Sequence, residues 1–159
     1  MSQKLSFSEA QKKLEYFCAY QERCHQEVVQ KLYELGMKSQ EIDTIVVHLL
    51  QHNFLNEERF ACSFARGKHR IKHWGKTRIV RELQLRHISK YNIDKGLQEI
   101  NPNEYTAVFH ALAEKQWENS NKNNIQEKKK KVFDYLMRKG FESQMIYEKI
   151  NDLSKSNIS

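Results

Sequence analysis

Apolar residues recur along this chain at spacings of three and four, the period of one helix face, and short polar breaks divide them into successive stretches. The first stretch follows SFSE, Ser6 to Glu9, a capping box in which the serine accepts from first-turn amides and the glutamate reaches back. Its buried stripe is Leu14, Phe17 and Cys18. A second helix is expected over residues 25–35, ending at Gly36 as a left-handed C-terminal residue. Ser39 is placed to cap a third, with Ile42, Ile45, Val46 and Leu49 facing inward. Asn56 opens a fourth, with Phe60, Phe64 and Ile71 on one face and Trp74 near its end.

The same unit then returns. Gly36, His87 and Gly140 are equivalent points, 51 and 53 residues apart. Eight residues before them stand Val28, Ile79 and Val132, and four before stand Leu32, Leu83 and Leu136. One residue after come Met37, Ile88 and Phe141. Further on lie Ile42, Ile93 and Ile146; Val46, Leu97 and Ile150; and Leu49, Ile100 and Leu153. Helical periodicity alone gives threes and fours. It does not make the interruption recur at one place in each unit, nor put Ser39 and Ser143 three residues beyond it. The pattern predicts an all-α protein of three tandem three-helix repeats, over residues 7–53, 54–101 and 102–153, with a flexible tail at 154–159. A single unit of this size buries too little surface alone, so neighbours stack. Pro102 suits the first position of a helix after Asn101. The stretch ENSNKNNIQEKKKK, residues 118–131, is low in complexity and is expected to be a longer, mobile loop, with Lys128 to Lys131 at its end beginning the next helix.

Composition agrees with that class. Five glycines and one proline leave few breaks, and 30% charged residues suit an elongated molecule with much surface. No apolar run reaches the ~18–20 residues needed to span a bilayer, and the N-terminus lacks the apolar core of a signal peptide. Cys18, Cys24 and Cys62 form no CxxC, so free thiols in a reducing, cytoplasmic compartment are expected. No coiled-coil seam is visible, and a monomer is expected.

Catalytic and metal chemistry find little support. There is no glycine-rich phosphate loop, GxSxG or HExxH. His48/His52 and His69/His73 are four apart, but a zinc site needs a third ligand, and the second pair sits among cations. Glu57 and Glu58 belong to a helix first turn, where negative charge suits the macrodipole. Neither enzymatic activity, a metal nor a cofactor is expected.

Charge is the informative feature. The net charge is +7, yet residues 66–90 hold nine Lys/Arg and a single acid, Glu82, so the other 134 residues sum to −1. A solvated helix face usually interleaves both signs, because i,i+4 pairs gain ~0.2–0.5 kcal/mol each. Here Arg66/Arg70 and Lys68/Lys72 are like-charged at that spacing. Arg66, Lys68, Arg70, Lys72, Lys76, Arg78, Arg81 and Arg86 are therefore the candidate contacts for a polyanion. The alternative is a solvated face neutralised by acids elsewhere in the fold. A second run, Lys128 to Lys131, carries the same two readings. Trp74 and Trp117 have rings suited to base stacking, though both lie on apolar stripes and read first as core.

The segment FLNEERFACSFARGKHRIKHWGKTRIVRELQLRHI resembles the signature region of the RecX family, regulators of the bacterial recombinase RecA. Leu55, Phe60, Ala61, Gly75, Ile79 and Leu83 match the family pattern. Glu57 stands where Asp is usual, and His87 where Gly is commoner, which makes that turn less relaxed. The resemblance covers roughly residues 10–153, is strongest in the middle unit and is weakest in the third. It implies an elongated, curved helical array with no catalytic activity. Such a protein binds the RecA–DNA filament and limits its growth, ATP hydrolysis, strand exchange and coprotease activity, hence DNA repair, homologous recombination and the SOS response. Weak contact of the basic face with single- or double-stranded DNA is also implied. A helix-turn-helix module acting on DNA without RecA, with Gly75–Leu83 in the major groove, is the second reading. A scaffold whose basic face aids solubility is the third.

Overall fold

The computed structural model describes residues 5–121 and 123–156. They form helices α1 (Phe7–Tyr20), α2 (His25–Glu34), α3 (Ser39–Gln51), α4 (Glu57–Lys72), α5 (Lys76–Leu85), α6 (Lys90–Leu97), α7 (Pro102–Glu118), α8 (Ile125–Lys139) and α9 (Ser143–Ser156), with no strand among the described residues.

The helix starts follow their local chemistry. Ser6 and Glu9 make the reciprocal capping box, and those hydrogen bonds hold the Glu9 carboxyl below its usual range. The Asn56 side chain accepts from the Arg59 N–H at 2.9 Å, and Asn101 accepts from Asn103 and Glu104 ahead of Pro102. Ser39 is the first helical residue rather than the cap. Lys38 is extended, its carbonyl accepts from Ile42, and its own N–H donates to the Glu41 carboxylate at 2.9 Å. The loop of the third unit is shorter than the sequence suggests. Asn124 caps α8 by accepting from Gln126 and Glu127, so the helix starts at Ile125, ahead of the Lys128–Lys131 run expected to begin it; Lys122 lies outside the described residues. At the other end α9 runs to Ser156, so the expected tail is helical over 154–156, while 157–159 lie outside the described residues.

The strongest sign of repetition is in the backbone. Gly36, His87 and Gly140 all adopt positive φ, at 84°, 59° and 96°. After each, one amide reaches back five residues: Met37 to Leu32 at 3.0 Å, Ile88 to Leu83 at 3.1 Å and Phe141 to Leu136 at 3.2 Å. These are three copies of one Schellman closure. Of the eighteen repeating apolar positions, only Leu97 and Leu153 are half-buried, and the rest are buried.

The chain packs as two compact units, one comprising the described residues up to Phe64 with Leu83–Gly96, the other Ala65–Glu82 with those from Leu97 onward. In the first unit α1, α2 and α3 pack pairwise around Leu14, Leu32, Ile45 and Leu49, each contributing roughly 1.5–3 kcal/mol on burial. Also in this unit, α6 meets α4 closely, for a Cβ on Gly96 would stand 2.7 Å from the Ala61 carbonyl oxygen. In the second unit α7, α8 and α9 pack pairwise, with Phe109 and Phe141 5.2 Å apart at their ring centres. Trp117 is buried as core. Ile71 is not: it is 76% exposed, the reverse of its expected place on the α4 stripe. No helix among the described residues is long and apolar enough to cross a membrane.

Candidate polyanion interface

Seven of the eight candidate cations lie in the second unit, around the turn from α4 to α5. α4 closes with His73 in the left-handed region at φ 57°, and the Trp74 N–H returns to the Lys68 carbonyl at 3.2 Å. The buried His69 fixes the next residue, its Nδ1–H donating to the Trp74 carbonyl at 3.1 Å. The turn then docks on the turn between α8 and α9. The Gly75 N–H donates to the Lys139 carbonyl at 2.7 Å, and the Thr77 N–H to the Gly140 carbonyl at 2.9 Å. A Cβ on Gly75 would lie 2.4 Å from three backbone atoms of Gly140 and Phe141, so a side chain has no room there.

Tyr105 of α7 closes the arrangement. Its hydroxyl accepts the Lys76 N–H at 3.0 Å and donates to the Glu142 carboxylate. Burial, and then that donation, push its ionisation far up, so it stays a neutral donor. An otherwise orphaned first-turn amide of α5 thereby gains an acceptor.

The cations divide by engagement. Arg78 reaches the Arg138 carbonyl at 3.0 Å and lies 4.1 Å over the Trp74 ring; Lys68 lies 5.0 Å from the same ring. Trp74 is thus half-buried and gripped by two cations, neither plain core nor an open stacking face. Lys76 lies 4.8 Å over Tyr105. Arg66 pairs with Glu99 at 3.4 Å, an exposed bridge of ~0–1 kcal/mol. Arg70, Lys72 and Arg81 are exposed. Arg86 belongs to the first unit, where it lies 4.9 Å over Phe64.

Sequence reasoning missed the support. Lys139 donates to the Lys72 carbonyl at 2.9 Å and, with Arg138, adds positive charge from a segment some sixty residues away in sequence. Gly140 stood out only through the repeat, and nothing local marked Tyr105 or Glu142. The histidine pairs make other contacts: His48 meets Glu15 at 2.7 Å, and no group of three His, Cys, Asp or Glu that could hold a metal occurs among the described residues.

Together these features define an all-α protein of repeated three-helix units carrying a braced cationic turn. A family model described as "RecX, second three-helix domain" matches residues 56–97, and one described as "RecX, third three-helix domain" matches residues 103–150. Those matches take in more than half of the sequence, and the chain belongs to the RecX family. A regulatory protein RecX of Limosilactobacillus reuteri (strain DSM 20016) is 26% identical over 136 residues, covering 86% of this chain and 51% of its own length. One from Geobacillus thermodenitrificans (strain NG80-2) is 27% identical over 131 residues, covering 82% and 49%. This chain therefore spans about half the length of these curated relatives. A crystal structure of a regulatory protein RecX matches with a TM-score of 0.81 at 24% identity, over 92% of this chain and 73% of that one. The structure of RecX from Lactobacillus salivarius matches at 0.79 and 23%, over 93% and 96%. At these identities the structural matches speak to the fold.

Proposed function

We propose that this chain is a regulator that works by binding rather than catalysis. Its partner is the filament of the RecA recombinase on DNA, whose growth, ATPase, strand exchange and coprotease activity it restrains. The setting is cytoplasmic, in homologous recombination, DNA repair and the SOS response. Residues 7–53, 54–101 and 102–153 are read as its three repeats, and the chain as a monomer.

The observation that carries this reading is the braced cationic turn. Arg70, Lys72 and Arg81 are exposed on a turn that Gly75, Gly140 and Tyr105 hold rigid, so the charge is presented rather than tethered loosely. Pre-organised charge binds phosphate or acidic protein surface with less ordering cost than mobile lysines. Arg66, Lys68, Lys76 and Arg78 extend the positive field of the same unit while making contacts within the protein; Arg86, in the first unit, is a further candidate contact and lies over Phe64.

The test is RecA ATPase on single-stranded DNA with and without this chain. Inhibition at substoichiometric protein, with weak binding to naked DNA, is the expected result. Untouched RecA activity alongside tight duplex binding would sink the reading in favour of a DNA-binding module acting alone.

A further inference from the structure

We propose that α1 and α2 form a further ligand site, a stacking platform for single-stranded nucleic acid whose open rings are Tyr16 and Tyr20, set beside Phe17 and flanked by Lys13, Arg23 and Lys31. It lies wholly within the first unit and goes beyond the RecA reading, which rests on the cationic turn. An open groove of about 280 Å³ is lined by these six residues, three aromatics and three cations with no acid.

Tyr16 and Tyr20 stand one helical turn apart and are each 73% exposed. Two such rings one turn apart on an exposed helix face are a surface in want of a cover. Phe17, next to them on α1, is partly buried against the core of α1–α3 and supplies a rigid floor. Arg23 stands over that floor, its guanidinium carbon 3.6 Å from the Phe17 ring centre, its Nε–H donating to the Phe17 carbonyl at 2.9 Å. Lys31 of α2 comes within 5.9 Å of the same ring.

The chemistry narrows the occupant. The groove falls below the roughly 300–1,000 Å³ of small-molecule pockets and is open, so an enclosed metabolite is a poor fit. An acidic peptide is best gripped by a free guanidinium fork. The one guanidinium here is held by the Phe17 carbonyl and lies 3.8 Å from Glu27, leaving the ammonium groups of Lys13 and Lys31 as point charges suited to phosphate. Exposed aromatic faces alternating with cations are how non-specific single-strand binders hold bases and backbone together. Duplex DNA, whose bases are already stacked, offers these rings nothing.

Anisotropy of a short fluorescein-labelled oligothymidylate with the full chain, and no other protein, tests this. Tyr16→Ala with Tyr20→Ala should weaken binding by about fivefold per ring or more, the low end of base–aromatic stacking. Tyr16→Phe with Tyr20→Phe should bind like the parent. Lys13→Gln and Lys31→Gln should each lower the slope of log affinity against log salt by about 0.7. The alanine effect should persist unchanged when Arg70, Lys72 and Arg81 are all glutamate. Unchanged affinity in the alanine pair overturns the proposal. So does loss of the tyrosine effect in the glutamate background, equal affinity for a duplex of the same length, or displacement by polyglutamate as effective as by unlabelled oligothymidylate.

Discussion

Replacing Gly75 with alanine tests whether the cationic turn is braced as the geometry implies. The added Cβ would stand 2.4 Å from the Gly140 carbonyl carbon and oxygen and from the Phe141 nitrogen, all backbone atoms that no rotamer change can move. Ordinary contact begins near 3.4 Å, so the two turns must part by about 1 Å in an interior that packs without slack. That movement stretches the 2.7 Å bond from Gly75 to Lys139 and the 2.9 Å bond from Thr77 to Gly140 beyond useful length. Two lost bonds at ~1 kcal/mol each, with overpacking at ~1–3 kcal/mol, give a destabilisation of about 3–5 kcal/mol. The matched control is Gly67→Ala in α4, where a Cβ meets nothing within 4 Å. Helix propensity should make that variant more stable by about 0.5–1 kcal/mol. Urea unfolding followed by far-UV circular dichroism measures both. A Gly75→Ala protein within about 1 kcal/mol of the parent, or a Gly67→Ala protein equally damaged, would refute the bracing argument.

Arg70→Glu, Lys72→Glu and Arg81→Glu together should leave helicity and the unfolding midpoint near the parent while abolishing inhibition of RecA ATPase; retained inhibition means the turn is not the contact. Arg78→Glu should instead lower the midpoint as well, because it removes the bond to Arg138 and the cover over Trp74. His87→Gly should stabilise by about 0.5–1 kcal/mol, since a side chain at φ 59° is strained where glycine is not, and an unchanged or lower melting temperature would contradict this. Burial pushes the Cys18 and Cys24 thiols up from 9.0 to about 11, so both should resist an aromatic disulfide reagent at mild alkaline pH while the half-buried Cys62 reacts first. Because the folded values are the raised ones, stability is intact below pH 9.0 and falls as pH climbs towards 11, by on the order of 2–3 kcal/mol per thiol. A urea midpoint flat across that window in the parent protein would count against it.

How far the sequence could be read depended on whether a feature was local. Spacing of apolar residues marks helix faces, and glycine in a break marks a left-handed closure, so α1–α3 and the three Schellman turns were legible. His87 was legible only through the repeat, because its own chemistry argues against φ 59° and only the equivalence with Gly36 and Gly140 demands it. Ile71 shows the limit of the same method. It sits at helical spacing from Phe60 and Phe64, yet α4 stops at Lys72, and at 76% exposure Ile71 reaches the surface beside the exposed Arg70 and Lys72. Charge was legible as a total and not as a disposition. Nothing within residues 66–90 tells that Arg66 meets Glu99, that Arg78 and Lys68 bind Trp74, or that Lys76 covers Tyr105, since each depends on packing. Those contacts change what the cluster means. A run of eight candidate cations resolves into a few that are exposed and several that hold the turn, and Lys139 joins from α8 through the Lys72 carbonyl. Like charges at i,i+4 on α4 repel, and the fold offsets part of that where Glu99 pairs with Arg66 and the Trp74 ring faces Lys68. What remains presented to solvent is a smaller positive surface on a braced turn, and that bracing is what favours the proposed polyanion partner over a merely solvated face.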